Sequence, residues 1–336
     1  MAAGVRRLFL LVALVICTSG LLHSASDLQV SLDAYSAEPA RVVARAAASE
    51  SLSSIVSSLR RDGPAWMLSH GAGDANRRRL IAATFALEVA ATGLESSPKD
   101  VPVLIEWGCE QVRRRMPSDA ERQWHIAALA LLEGLGNLQA VEAHLAHASA
   151  RLADEPMWDR ARVWISDSRT LNVHPRQPLG AAHIAFPAAL AAQYQVLAKS
   201  PSLAGDAWLR IGFFHFLAGA HDEARADFAR TLAADSDSDT VYLAHLFTAW
   251  TFERDEQRDT SALSLQRALA AAPYGRTAAL WLANARALSG AFDDAEAIAE
   301  RGLRSDDAHA DPWRVFYAGD VRRWPILIEA LRRTVQ

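Results

Sequence analysis

The sequence predicts an all-α chain, an α-solenoid of antiparallel helical hairpins, on three observations. Apolar residues recur at helical spacing: Leu138, Val141, Leu145, Ala148 and Leu152 step alternately by three and four, giving one seam to face a neighbouring helix. No convincing run alternates polar and apolar residues with period two, and the β-branched residues are scattered. Helix-breaking prolines stand at 117, 156, 201 and 273, in steps of 39, 45 and 72, the last being two units of 36 with Ser236 in the middle. Trp124 and Trp208 each follow such a proline by seven residues, so one large side chain returns at one phase after one breaker.

From the N-terminus, Arg6 and Arg7 precede an apolar run, Leu8 to Ile16, that resumes at Leu21-Leu22 after small residues. This is the pattern of a secretory signal peptide, residues 1–26, with cleavage expected after Ala25 or Ser26 and a periplasmic or secreted product. The run is shorter than the roughly 20 residues a bilayer span needs. The alternatives are a retained membrane anchor over 8–22 and lipidation at Cys17, although Ile16 is bulky where a lipobox has a small residue. Residues 27–75 are expected to hold a polar linker and one helix. In that helix Leu52, Ile55, Val56 and Leu59 form a stripe, and Asp62-Gly63-Pro64 ends it. Residues 76–178 predict degenerate hairpins. Ser118-Asp119-Ala120-Glu121 is a capping box opening a helix that stops at Gly134-Leu135-Gly136-Asn137. Pro175 and Pro178 make Asn172–Gly180 the best internal boundary.

Residues 179–336 carry the clearest repeats. The segment Trp208-x2-Ile211-Gly212-x6-Gly219-x4-Ala224-x3-Phe228, with Leu232 and a turn at Asp235, resembles the tetratricopeptide repeat. Gly212 and Ala224 let two helices approach closely, Gly219 permits the tight turn between them, and the large residues fill the space. Two further units follow. One keeps Phe252, Leu265, Ala268 and the closing Pro273; the other keeps Leu282, Gly290, Phe292, Ala295 and Leu303. His215, Thr231 and Ser236 depart from the family's tyrosine, alanine and proline. The resemblance is good over 204–308, loose over 118–156, and only topological over 76–117 and 157–200. It implies a fold and little about chemistry, because such repeats scaffold unrelated systems. Trp313, Phe316, Tyr317, Trp324, Ile326, Leu327 and Leu331, with Arg322, Arg323, Arg332 and Arg333 opposite, read as a cap on the array.

Composition narrows the function. A net charge of −4 disfavours a nucleic-acid binder. Cys109 is the only cysteine besides Cys17, so no internal disulfide survives cleavage, and it reads as a small core residue beside Trp107. Asp235, Asp237 and Asp239 start like a calcium loop, but Thr240 and Leu246 stand where that loop needs Gly and Glu. A helix cap at Ser238 or Asp239 is expected instead. His144 and His147, near Glu142, are too few for zinc and read as surface residues. His215, His221 and His245 read as packing or surface residues, and Asp222-Glu223 and Asp293-Asp294 as first-turn acids. No phosphate loop, nucleophile elbow or dinucleotide fingerprint occurs. Arg77, Arg78 and Arg79 open a helix, where the dipole does not favour cations, and are the candidate contact for an anionic partner. The expectation is therefore an exported scaffold that binds a protein or peptide, with no catalysis, cofactor or metal. The alternative is a helical-repeat hydrolase or lyase acting on cell-wall or polysaccharide material.

Overall fold

The computed structural model describes residues 28–68, 75–114, 118–153, 155–170, 185–235, 237–304, 310–316 and 318–335. The signal segment with Cys17, the break at 70–74, Pro117, Ser236, Tyr317 and the expected boundary at 172–180 lie outside them. Among the described residues no strand occurs and the α-helices number sixteen. They are α1 (28–35), α2 (Pro39–Ser49), α3 (Leu52–Leu68), α4 (Ala75–Thr92), α5 (Val101–Arg113), α6 (Asp119–Leu135), α7 (Leu138–Arg151) and α8 (Pro156–Thr170). The series continues with α9 (Ala188–Leu197), α10 (Ala204–Leu217), α11 (His221–Ala234), α12 (Ser238–Arg254), α13 (Arg258–Ala271), α14 (Arg276–Leu288), α15 (Phe292–Leu303) and α16 (Trp324–Val335). None is long and apolar enough to cross a membrane.

The contacts form two units, Met1–Leu135 with Arg323–Gln336, and Gly136–Arg322. In the first, residues 27–75 hold three helices where a linker and one helix were expected. Leu28, Leu32 and Tyr35 bury one stripe of α1, so a polar-looking stretch is helical because three residues at helical spacing find a core. Glu50 separates α2 from α3. Asp62-Gly63-Pro64 does not end α3, which runs through Pro64 to Leu68 and buries Trp66 and Met67 beyond it. Trp66 Nε1 also donates to Asp33 at 2.7 Å, and the burial of Trp66 and Met67 together with this bond offsets the proline's local cost. The Ser118 hydroxyl accepts from Glu121 N at 3.2 Å, the first of the two bonds of a capping box. Of the residues expected to cap the array, those of α16 fall elsewhere: α16 packs on α4 and α6, burying Ile328, Leu331 and Val335. Its Arg332 makes two bonds to the buried Glu88, at 2.9 and 2.6 Å, and Glu88 also receives the Tyr35 hydroxyl.

In the second unit, α10 with α11, α12 with α13 and α14 with α15 pack as neighbouring pairs, and α11 packs on α12 and α13 on α14. This is the solenoid-like arrangement the sequence predicts. The helix cap before α12 is Asp237, one residue earlier than expected; its carboxylate accepts from Thr240 N at 3.0 Å. His144 is buried, correcting its reading as a surface residue, because it falls on the same face of α7 as Val141, Leu145 and Ala148.

Candidate functional site

The three hairpin turns are built alike. Gly219, Glu256 and Gly290 adopt φ of 81°, 60° and 83°, the left-handed region. The following residue in each donates five positions back: Ala220 N to His215 O at 2.9 Å, Gln257 N to Phe252 O at 2.8 Å and Ala291 N to Arg286 O at 3.0 Å. With the inner bonds from Gly219, Glu256 and Gly290 to Phe216, Glu253 and Ala287, each turn is a Schellman motif. Gly212 fits beside Phe228 so closely that an added Cβ would lie 2.6 Å from that ring. Ile211, Ala224, Phe228, Ala268 and Ala295 are buried, and Pro273 lies in the turn between α13 and α14. Trp208 is half-buried, with Arg230 4.6 Å over its ring.

The identical turns bring rings from successive hairpins into register. Phe213, Phe247 and Trp281 recur at spacings of 34, as do Phe216 and Trp250. Phe213 lies 4.7 Å from Phe247, Phe216 6.1 Å from Trp250, and Trp250 5.9 Å from Trp281. The result is an aromatic seam across α10, α12 and α14. Residues 311–316 close it. Phe316 sits 5.2 Å from Phe213 and 5.1 Å from Phe247, and Trp313 meets Trp250 edge to face at 5.0 Å. Arg210, buried against Asp167 and Asp206 at 3.3 Å each, donates to the Phe316 carbonyl at 3.0 Å. Asp311 accepts from Thr277 N, at the start of α14, at 2.6 Å. The seam thus holds apolar rings, a carbonyl and a carboxylate, all supplied by one short piece of chain.

The other predicted residues do not gather there. Arg77 is exposed and donates to Val335 O at 3.1 Å, whereas Arg78 turns inward, donates to Trp66 O at 3.2 Å and lies over that ring. The three arginines are therefore not one surface. His215 bonds Asp227 at 2.8 Å with Phe186 stacked on its ring, and His221 bonds Asp255 at 2.6 Å. His221 and Arg225 hold the Asp255 carboxyl below the usual range. Burial pushes the Cys109 thiol up to about 11, so it stays protonated at neutral pH. A separate open groove of about 700 Å³ runs along the ends of α7, α8 and α9 and carries Glu155, Asp159, Arg162 and Lys199. Glu155 accepts from Met157 N at 3.2 Å and Asp159 pairs with Arg162 at 2.6 Å. Comparison of the sequence with known family models and with curated proteins finds no match.

The sequence missed three parts of this site. Glu256 carries no local sign of a left-handed turn; only its phase between Gly219 and Gly290 points to it. The ring spacing of 34 was present in the sequence. Trp313 and Phe316 were expected in a cap on the array, but nothing local announces which rings they meet.

Proposed function

We propose that this chain is a tetratricopeptide-type scaffold of the cell envelope, exported by its N-terminal segment, which binds a protein or extended peptide and performs no catalysis. The observation that carries the reading is the aromatic seam, a repeated row of rings flanked by the buried Arg210 guanidinium and the start of α14, the chemistry that grips a chain rather than transforms it. The recurring turn motif supports the repeat assignment, and the basic, apolar N-terminus supports export.

Affinity capture from envelope extracts with the full chain tests it. Recovery of a partner should fall several-fold when Trp250 and Trp281 are both replaced by Ala. Undiminished recovery would remove the seam from the reading, and failure to capture any partner would remove the reading. The rival hydrolase or lyase reading rests on the groove where Glu155 and Asp159 occur together. Saturable cleavage of a glycan by the intact chain, lost in Glu155→Gln, would replace the scaffold reading with that one.

A further inference from the structure

We propose that residues 311–316 are a built-in occupant of a peptide site, and that the partner displacing them presents the same chemistry, an acidic residue followed by two aromatic residues in the order Asp-x-Trp-x-x-Phe. The inference rests on the scaffold reading and names its ligand class. Four observations carry it.

First, the segment folds on itself. Trp313 N donates to the Asp311 carboxylate at 2.9 Å, Arg314 N to Asp311 O at 2.9 Å and Phe316 N to Trp313 O at 3.2 Å, which makes a knob rather than a strut. Second, the knob docks by three chemically different grips already described: its carboxylate on Thr277 N, its Phe316 carbonyl on Arg210, and its two rings in the seam. Third, the ring positions recur with the repeat at 213, 247 and 281, so those rings are supplied by the hairpins, although Phe316 and Trp313 complete the same core cluster. Fourth, the outer side of the knob is open, with Arg314 exposed and Trp313 half-buried, so a competing chain can begin to replace it from solvent. An Asp at a helix N-terminus and paired aromatic anchors are separable contacts, and each ring lost to a competitor is regained from it.

A labelled synthetic peptide of residues 310–318 is titrated into the full chain and into a full-length variant carrying Asp311→Asn and Trp313→Ser, which weakens the internal occupant. The expected result is binding at least tenfold tighter to the variant than to wild type. A control peptide with both aromatic residues changed to Ser should not bind either chain. Equal binding by the two chains, or none by a variant that keeps its helical circular dichroism, overturns the proposal. A variant that loses its helical signal also overturns it, since the segment is then part of the core rather than an occupant. If the peptide fails while the intact chain still captures a partner through Trp250 and Trp281, the scaffold reading stands and this inference alone falls.

Discussion

The first unit and the hairpin array draw on buried charge and on ring packing in different proportions. The first unit buries charge and ties it across long stretches of chain: Tyr35, Glu88 and Arg332 meet although Glu88 and Arg332 are 244 residues apart. The array from α10 to α15 buries the Arg210 guanidinium but joins sequence neighbours mainly through alanines, the closely packed Gly205, Gly212, Gly275 and Gly302, and tilted rings, with Phe247 and Phe228 wholly buried at its centre. A buried ion pair contributes little relative to apolar residues of similar shape, but breaking it leaves a charge unsatisfied. A ring seam loses packing in proportion to what is removed. The two units should therefore respond to mutation in distinguishable ways.

The largest effects lie at the two centres. Glu88→Ala should cost about 3–5 kcal/mol, because Arg332 and the Tyr35 hydroxyl lose their shared acceptor. Replacing all three, with Tyr35→Phe, Glu88→Leu and Arg332→Leu, should recover most of that loss in denaturant melts. If the triple variant is no better than Glu88→Ala, the first unit is not held in the way described. Phe247→Ala should cost a similar amount, about 3–5 kcal/mol, through the cavity it leaves among the rings. Next in size is Gly212→Ala, at about 1–3 kcal/mol, since its Cβ must push the Phe228 ring aside. A melting temperature unchanged from wild type would show that α10 and α11 are not in close contact.

Smaller effects test the turns. Gly290 has open space around its Cα, so Gly290→Ala isolates backbone strain and should cost about 1 kcal/mol. Glu256→Gly should do the reverse, stabilising by up to about 1 kcal/mol, because a side chain is being removed from the left-handed conformation. Shifts of the same sign would break the equivalence of the three turns. The smallest effect is on pH dependence. Burial, with Arg267 nearby, lowers the pKa of His245 on α12. The folded chain thus binds a proton there less readily than the unfolded chain. This contribution to stability is complete above the ordinary histidine pKa, about 6.5, and is lost as pH falls through the lowered value. His245→Gln should flatten the melting-temperature profile below that point, and an unaltered slope would place the titration elsewhere.

What the sequence disclosed divides along the same line. Gly219, Gly290, Gly212, Ala224 and Phe228 were legible because each answers a local demand, a left-handed turn or the approach of one helix to the next. The end of α3 was misread because Pro64 is a local signal and the burial of Trp66 and Met67 is not. An amphipathic α16 announces that one face is covered without naming the cover, so Arg332 looked like part of a wet surface until Glu88 was placed beside it. The knob at 311–316 was hidden for the same reason. Its rings read as apolar, but only the folded chain shows that they return to rings at 213, 247 and 250.

The placement of α16 has a consequence for the order in which the chain can acquire its structure. Synthesis proceeds from the N-terminus, and domains ordinarily fold as they emerge. Here Arg77 bonds the carbonyl of Val335, 258 residues later, and Glu88 waits for Arg332. A growing chain can complete its hairpins while its first helices still lack the helix that covers α4 and α6. The first unit is therefore completed after the hairpins. A chain interrupted at Arg322 would carry an assembled middle and an exposed, charged opening in the part that was made first.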